Sequence, residues 1–375
     1  MVDSPAATTT RLEAADALRA LATVLVVVIH TTHWPWPAVV FNELDLLSRL
    51  AVPAFMMLTG VLLSYRSTGE PVSARTFLRR RFSRSLLPWM VWGPFYAFTG
   101  WVLTGDVYPQ NLDGLGTFFS YGAGHLWFLL LIPQMYLIYL VWPRRRLWLW
   151  AGLAFAVQTA LAVYRLYGSQ PLAFESQLTL WHGFQLLPFW IGYFAVGLAA
   201  GRSLARRGAP RGSHAGIVAA AAAAVVASGL LLVFVTYDSS PTPDFQHGTG
   251  AFLLPQEPLY VLSTAVLVLF AAPGIVRRHR GLALVTRVLS ENSLGVYILH
   301  PIVVYLIAEQ IKPLLFVYMP TAFIGFLVLT VAGLTGSTLA SMLISATPLA
   351  PTLGVRRRRL GLRRVRPASS GSPAG

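Results

Sequence analysis

Apolar residues occur in this chain in stretches too long for strands and too uniformly apolar for surface helices. Roughly ten stretches read as spans, near 15–33, 48–65, 86–104, 125–142, 147–164, 185–201, 214–236, 256–274, 291–309 and 320–345. Each holds about 17–25 mostly apolar residues, enough for a helix to cross a ~30 Å hydrocarbon layer. The sixth is the shortest, and a count of nine or eleven spans stays open. Backbone polar groups inside a bilayer must be satisfied within their own segment, which favours helices. The expected fold is therefore all-α, a polytopic integral membrane bundle of about ten transmembrane helices. The first span runs on into HTTHWPWP without a small-residue cleavage site, unlike a secretory signal peptide.

The polar positions between the spans orient the bundle. With the N-terminus in the cytoplasm, RTFLRRRFSR, PRRR, GRSLARRGAPR, RRHRG and RRRRLGLRRVR all fall on the inner side. Of 29 Lys and Arg, only Arg49, Arg165 and Lys312 fall outside. Acidic residues such as Glu43, Asp45, Asp106, Asp113, Glu175 and Glu309 fall on the outer side. This is the positive-inside pattern, with both termini cytoplasmic and the chain in the inner or plasma membrane. Residues 1–13 then form a cytoplasmic tail, 14–345 the transmembrane domain, and 346–375 a basic tail expected to be disordered. That last tail either lies against anionic lipid or only sets topology.

Composition changes this picture little. The chain is 55% hydrophobic and 11% charged. A net charge of +15 would suggest nucleic acid, but the placement of the charge is topological, so no nucleic acid is expected. With no Cys, disulfides and thiolate-held metals are excluded.

Within the first span, Arg19 and His30 are eleven residues apart. Eleven helical steps return to within about 20° of the starting direction, with a rise of about 16 Å. Asp16, Thr23 and His33 fall in the same arc of about 100°. Ionisable residues inside a span are costly and mark functional pathways. Arg19 can also reach the interface by extending its side chain. His30 and His33 form an HxxH pair, but no Cys or third His in that helix completes a zinc set, and no metal is expected.

Several segments resemble acyltransferase family three, a family of integral-membrane O-acyltransferases. Asp16-Ala-Leu-Arg19, ten residues, then His30 is similar to its first-span signature. SRLAVPAFMMLTGVLLSYR resembles the second-span segment through Arg49, Pro53, Phe55, Thr59 and Gly60. FLRRRFSRSLLPWMVW, GHLWFLLLIPQMYLIYLVWP and SENSLGVYILHPIVV resemble three later motifs. The resemblance runs from residue 12 to about 345 and implies a transmembrane acyltransferase domain over 14–345. It is closest in wording to the sugar and glycolipid O-acetyltransferase branch.

The implied reaction moves an acyl group, acetyl by preference, from acyl-CoA to a hydroxyl of a sugar, glycolipid, cell-envelope polysaccharide or glycosylated metabolite. Acetyl-CoA enters as co-substrate, and no permanently bound cofactor is expected. His30 is the general base, or it carries the acyl group itself. Arg19 binds an anionic group of the donor, oriented by Asp16, with Thr23 adding a polar group one turn on. Arg79, Arg80, Arg81 and Arg84 suit the donor's phosphates, Arg84 above all, although topology alone also explains them. His33, Arg49, His125 and Trp127 are candidates for the acceptor. Arg49 serves equally as an interfacial anchor, and Trp127 as part of an aromatic belt. Glu291, Asn292 and Ser293 read as a helix-start cluster. His300, before Pro301, either packs into the bundle with one hydrogen bond, the preferred reading, or lines a cavity. High Ala and Arg with almost no Lys is associated with GC-rich bacterial genomes. The alternative function is a transporter or flippase of a lipid-linked sugar or polymer, also built on broken, charge-bearing spans. Oligomeric state is left open.

Overall fold

The computed structural model describes residues 12–32, 40–66, 73–104, 124–167, 186–208, 214–239, 254–315, 319–355 and 357. These residues form helices and connecting turns, with no strand among them. In chain order the helices are α1 (Glu13–Thr32), α2 (Val40–Ser48), α3 (Ala51–Arg66), α4 (Ala74–Thr104) and α5 (Trp127–Val141). They continue as α6 (Leu147–Tyr167), α7 (Ile191–Arg207), α8 (Ala215–Ser239), α9 (Glu257–Arg278), α10 (Arg280–Leu315) and α11 (Met319–Ala346). Among the described residues, seven stretches are long and apolar enough to cross a membrane: α1, α2 with α3, α6, α8, α9, α10 and α11. α5 and α7 are shorter, and α4 carries the basic stretch on its first three turns. The protein is a multi-pass helical membrane protein.

α1 is the central element. It packs against α3, α9 and α10 and also touches α2 and α11. The pair α2–α3 is 78% buried over its apolar window, whereas the apolar window of α9 is 11% buried. The interior thus lies around α1 and α3, while most residues of α9 are only half-buried. Lipid is as apolar as a leucine side chain, so helices associate through close backbone approach and interhelical hydrogen bonds. Both devices occur here. Gly60 of α3 faces the Phe194 carbonyl of α7, while Gly197 and Gly201 face the Met57 and Val61 carbonyls of α3. A Cβ at any of the three would collide with backbone. Between α11 and α10, Ser341 donates to Asn292 Oδ1 at 3.3 Å.

Two boundaries differ from the sequence reading. The third span begins earlier, because Ser73 caps the helix through the Thr76 N–H at 3.3 Å and the arginines continue it. Arg79–Arg84 therefore lie on a helix rather than in a loop before one. Glu291, Asn292 and Ser293 lie inside α10, not at a helix start. The Arg287–Glu291 pair at 2.9 Å and Asn292 Nδ2 donating to Val288 O at 2.7 Å carry the helix through them.

Beyond α11, Ala350–Leu353 forms a single 3₁₀ turn with Ala350 and Leu353 fully buried. Trp92 of α4 donates to the Thr352 carbonyl at 3.0 Å and ties the turn to α4. Gly354, at φ 66°, then approaches the Arg84 carbonyl, which Pro88 leaves without a helical donor.

Candidate active site

α1 carries Arg19 near one end and His30 near the other, as the spacing requires. At the His30 end three imidazoles gather. His125, in the 3₁₀ turn Gly124–Leu126 that leads into α5, has its ring centroid 6.0 Å from that of His30. His300 of α10 lies 4.7 Å from His30 and 5.4 Å from His125.

The His300-Pro301 pair explains how the third imidazole is held. Pro301 lacks the N–H that would bond to the Tyr297 carbonyl one turn back. His300 Nδ1 supplies a donor in its place, 2.9 Å from Tyr297 O and 3.0 Å from Val296 O. A carbonyl can only accept, so Nδ1 carries the proton and Nε2 presents a lone pair. The residue is fully buried, and Nε2 has no hydrogen-bond partner among the described residues. Two tyrosines complete the surround. Tyr96 of α4 donates to the Ile298 carbonyl at 2.6 Å, and its ring meets His125 edge-on at 4.8 Å. Tyr297 donates to the His125 carbonyl.

At the other end of α1, Arg19 Nη1 donates to Ser290 Oγ at 3.2 Å and stands 3.6 Å from Asp16 Oδ1. Ser290 in turn donates to Asp16 at 2.6 Å. The three side chains lock the guanidinium between α1 and α10. Thr23 is buried and donates to the Arg19 carbonyl at 2.8 Å, so its hydroxyl serves its own helix.

A cavity of about 130 Å³ lies between the two ends. Arg19, Ser293 and Tyr297 line it, with Phe55, Leu58, Leu62, Phe128 and Ile132 as apolar walls. Tyr297 is also in ring contact with His125, at 5.5 Å. The cavity therefore touches Arg19 directly and neighbours the imidazole cluster only through the Tyr297 ring, since none of the three histidines lines it.

The remaining sequence candidates are dispersed. Arg79, Arg80 and Arg84 are exposed on α4, while Arg81 sits 5.5 Å from the ring centroids of both Phe77 and Tyr136. Arg49 is buried, with Nε 2.8 Å and Nη2 2.7 Å from Asp45 Oδ2. Thr32 donates to the other oxygen of that carboxylate at 3.5 Å. Trp127 is 8% exposed and lies against Trp190 at 5.7 Å. His33 lies outside the described residues. Among the described residues, no group of three or more His, Cys, Asp or Glu side chains is placed to hold a metal ion.

Sequence reading did not foresee the parts played by Ser290, Tyr96 and Tyr297, or the place of His300 against His30. Only the His-Pro dipeptide carried a local signal, a donor adjacent to a missing one. The others lie on helices more than 60 residues from α1 along the chain.

A family model described as an acyltransferase domain matches residues 12–346, nearly the whole chain. No curated protein matches, and no solved structure does.

Proposed function

The chain belongs to acyltransferase family 3, and from that membership we propose that it moves an acyl group from acyl-CoA to a hydroxyl of a sugar, glycolipid, envelope polysaccharide or glycosylated metabolite. That the protein is an acyltransferase follows from the family, which decides the class against the transporter reading. The donor, the acceptor and the residue roles are our reading.

The observation that supports it is the largely apolar cavity lined by Arg19 and Tyr297, with Tyr297 in ring contact with His125. A thioester donor with phosphates at one end, a slender arm and a reactive carbonyl at the other has that same order of polarity. Arg19, held by Asp16 and Ser290, meets a phosphate, and Arg80, Arg81 and Arg84 supply further positive charge toward that end. The arm follows the cavity. The thioester then reaches His30, beside His125 and His300.

His30 takes the proton of the acceptor hydroxyl as its oxygen bonds to the acyl carbon. The carbon–sulfur bond breaks, and the leaving thiolate receives that proton from His30. In the alternative order the acyl group rests on His30 before the acceptor arrives. Acid quenching after donor alone, followed by mass spectrometry of the His30 peptide, separates the two orders. His125 and Trp127 are our candidates for the acceptor side, with His33 and Arg49.

We also read α4, α5 and α7 as crossing the membrane, which makes ten spans with both termini cytoplasmic. Arg277 meets Glu13 at 3.1 Å and the Arg84 backbone meets Gly354, so basic stretches gather at the Arg19 end. That end is then cytoplasmic, where acyl-CoA is made, and the acyl group travels outward across the plasma membrane.

His30→Ala tests the reaction. Purified protein given labelled acetyl-CoA and envelope glycans should lose transfer by about 100-fold or more. Transfer that survives the substitution, or wild-type protein that never acylates an acceptor hydroxyl, removes this reading.

A further inference from the structure

We propose that His300 is the positioning residue of the catalytic histidine: its Nε2, without a partner among the described residues, takes up the hydrogen bond of the non-reacting His30 N–H once the substrates are seated. The inference rests on the reading of His30 as the reacting group, and it applies to either of that residue's two orders.

His300 is nearest of the two neighbouring imidazoles to His30, at 4.7 Å between centroids with the rings tilted by 59°. Its own proton is committed to carbonyls on the far nitrogen, so the nitrogen left over can only accept. A buried acceptor without a partner costs about 1–3 kcal/mol, and an apolar residue of similar size would avoid that cost. A histidine serving only to cover the carbonyl freed by Pro301 leaves this lone pair unexplained. A histidine that also receives a neighbour's N–H explains both nitrogens. The rings around it are His30 from α1, His125 from the turn before α5 and Tyr297 from its own helix.

During transfer the proton of the acceptor hydroxyl goes to the reacting nitrogen of His30 and then to the departing thiolate. In between, His30 is an imidazolium with a second N–H. His300 Nε2 accepts from the other N–H, the one on the non-reacting nitrogen, stays neutral and takes up no proton. This is the orienting work that a carboxylate performs for histidine in hydrolase triads, done here by a neutral ring.

Three variants of the full chain test it: His300→Leu, His300→Asn and His300→Gln, purified in detergent with melting temperatures recorded. Asn places an amide donor where Nδ1 stands, and Gln reaches the place of Nε2 with an acceptor oxygen. The expected result is a kcat lower by about 10- to 100-fold for Leu and Asn, with donor KM unchanged and with Gln recovering much of the loss. A second readout needs no turnover. Diethyl pyrocarbonate should carbethoxylate the His30 peptide more slowly in the Leu and Asn variants than in wild type and in the Gln variant. Wild-type kcat in all three variants overturns the proposal. So does a loss that follows melting temperature alone, or a His30 labelling rate unaffected by any substitution. Absence of transfer in wild-type protein would count against the acyl-CoA reaction, while the labelling series still decides the His300 contact.

Discussion

Arg19 shows how much of a residue's behaviour is set by its partners. Its charge sits 3.6 Å from Asp16, and Ser290 bridges the two. One neighbour came from the same helix and was legible as an i, i+3 pair. The other came from α10. A guanidinium held in this way binds an anion without first being ordered, so its loss should act mainly on donor binding. Arg19→Ala is expected to raise KM for acyl-CoA by roughly 10- to 100-fold, the size of a charge-assisted hydrogen bond of about 1.5–3 kcal/mol. Initial rates against donor concentration check this, and a change confined to kcat would contradict it. Arg49 behaves differently. It is buried against Asp45, so Asp45→Ala leaves a buried cation without its carboxylate and should destabilise the fold by about 3–5 kcal/mol. Thermal melting in detergent measures that loss.

Among the elements, α10 departs furthest from its sequence reading. It runs 36 residues, from Arg280 to Leu315, well beyond the expected span 291–309. Hydropathy marks where a helix is apolar, whereas caps and i, i+4 bonds decide where it stops, and these continue through Glu291–Ser293. Pro301 sits inside it and turns the freed Tyr297 carbonyl into the anchor of His300. Pro301→Ala should restore a backbone donor to that carbonyl and release His300 from it. The expected outcome is lower kcat, by about tenfold as for a lost supporting contact, with an equal or higher melting temperature. The α3–α7 pair makes the opposite demand. Gly197 leaves no room for a side chain against Met57, so Gly197→Leu should force the helices apart and lower the melting temperature by several degrees, with activity lost together with the fold.

Over the whole molecule, the distribution of charge and the placing of Arg19 and His30 at opposite ends of α1 point the same way. Basic stretches gather where Arg19 lies, and the histidines occupy the other end of α1. The chain has no Cys, so single cysteines report topology without a background. Arg145→Cys and Arg207→Cys should react with an impermeant maleimide only after the cytoplasmic face is opened. Asp113→Cys should react in intact cells. The reverse pattern would invert the proposed direction of acyl transfer.

The amino-acid sequence by itself determined the all-helical membrane class, the shared face of Arg19 and His30, and the resemblance to an acyltransferase family. Each follows from apolar length, from a 100° helical step or from local wording, quantities that need no knowledge of neighbours. Only the tertiary structure decided that His125 and His300 meet His30, that Ser290 holds Arg19, and that an apolar cavity lies beside Arg19 and Tyr297. Those contacts are made between helices far apart in the chain. Their register depends on glycines that admit backbone, on prolines that free carbonyls and on tyrosines that bridge helices. No periodicity within one segment encodes which face of another segment it will meet.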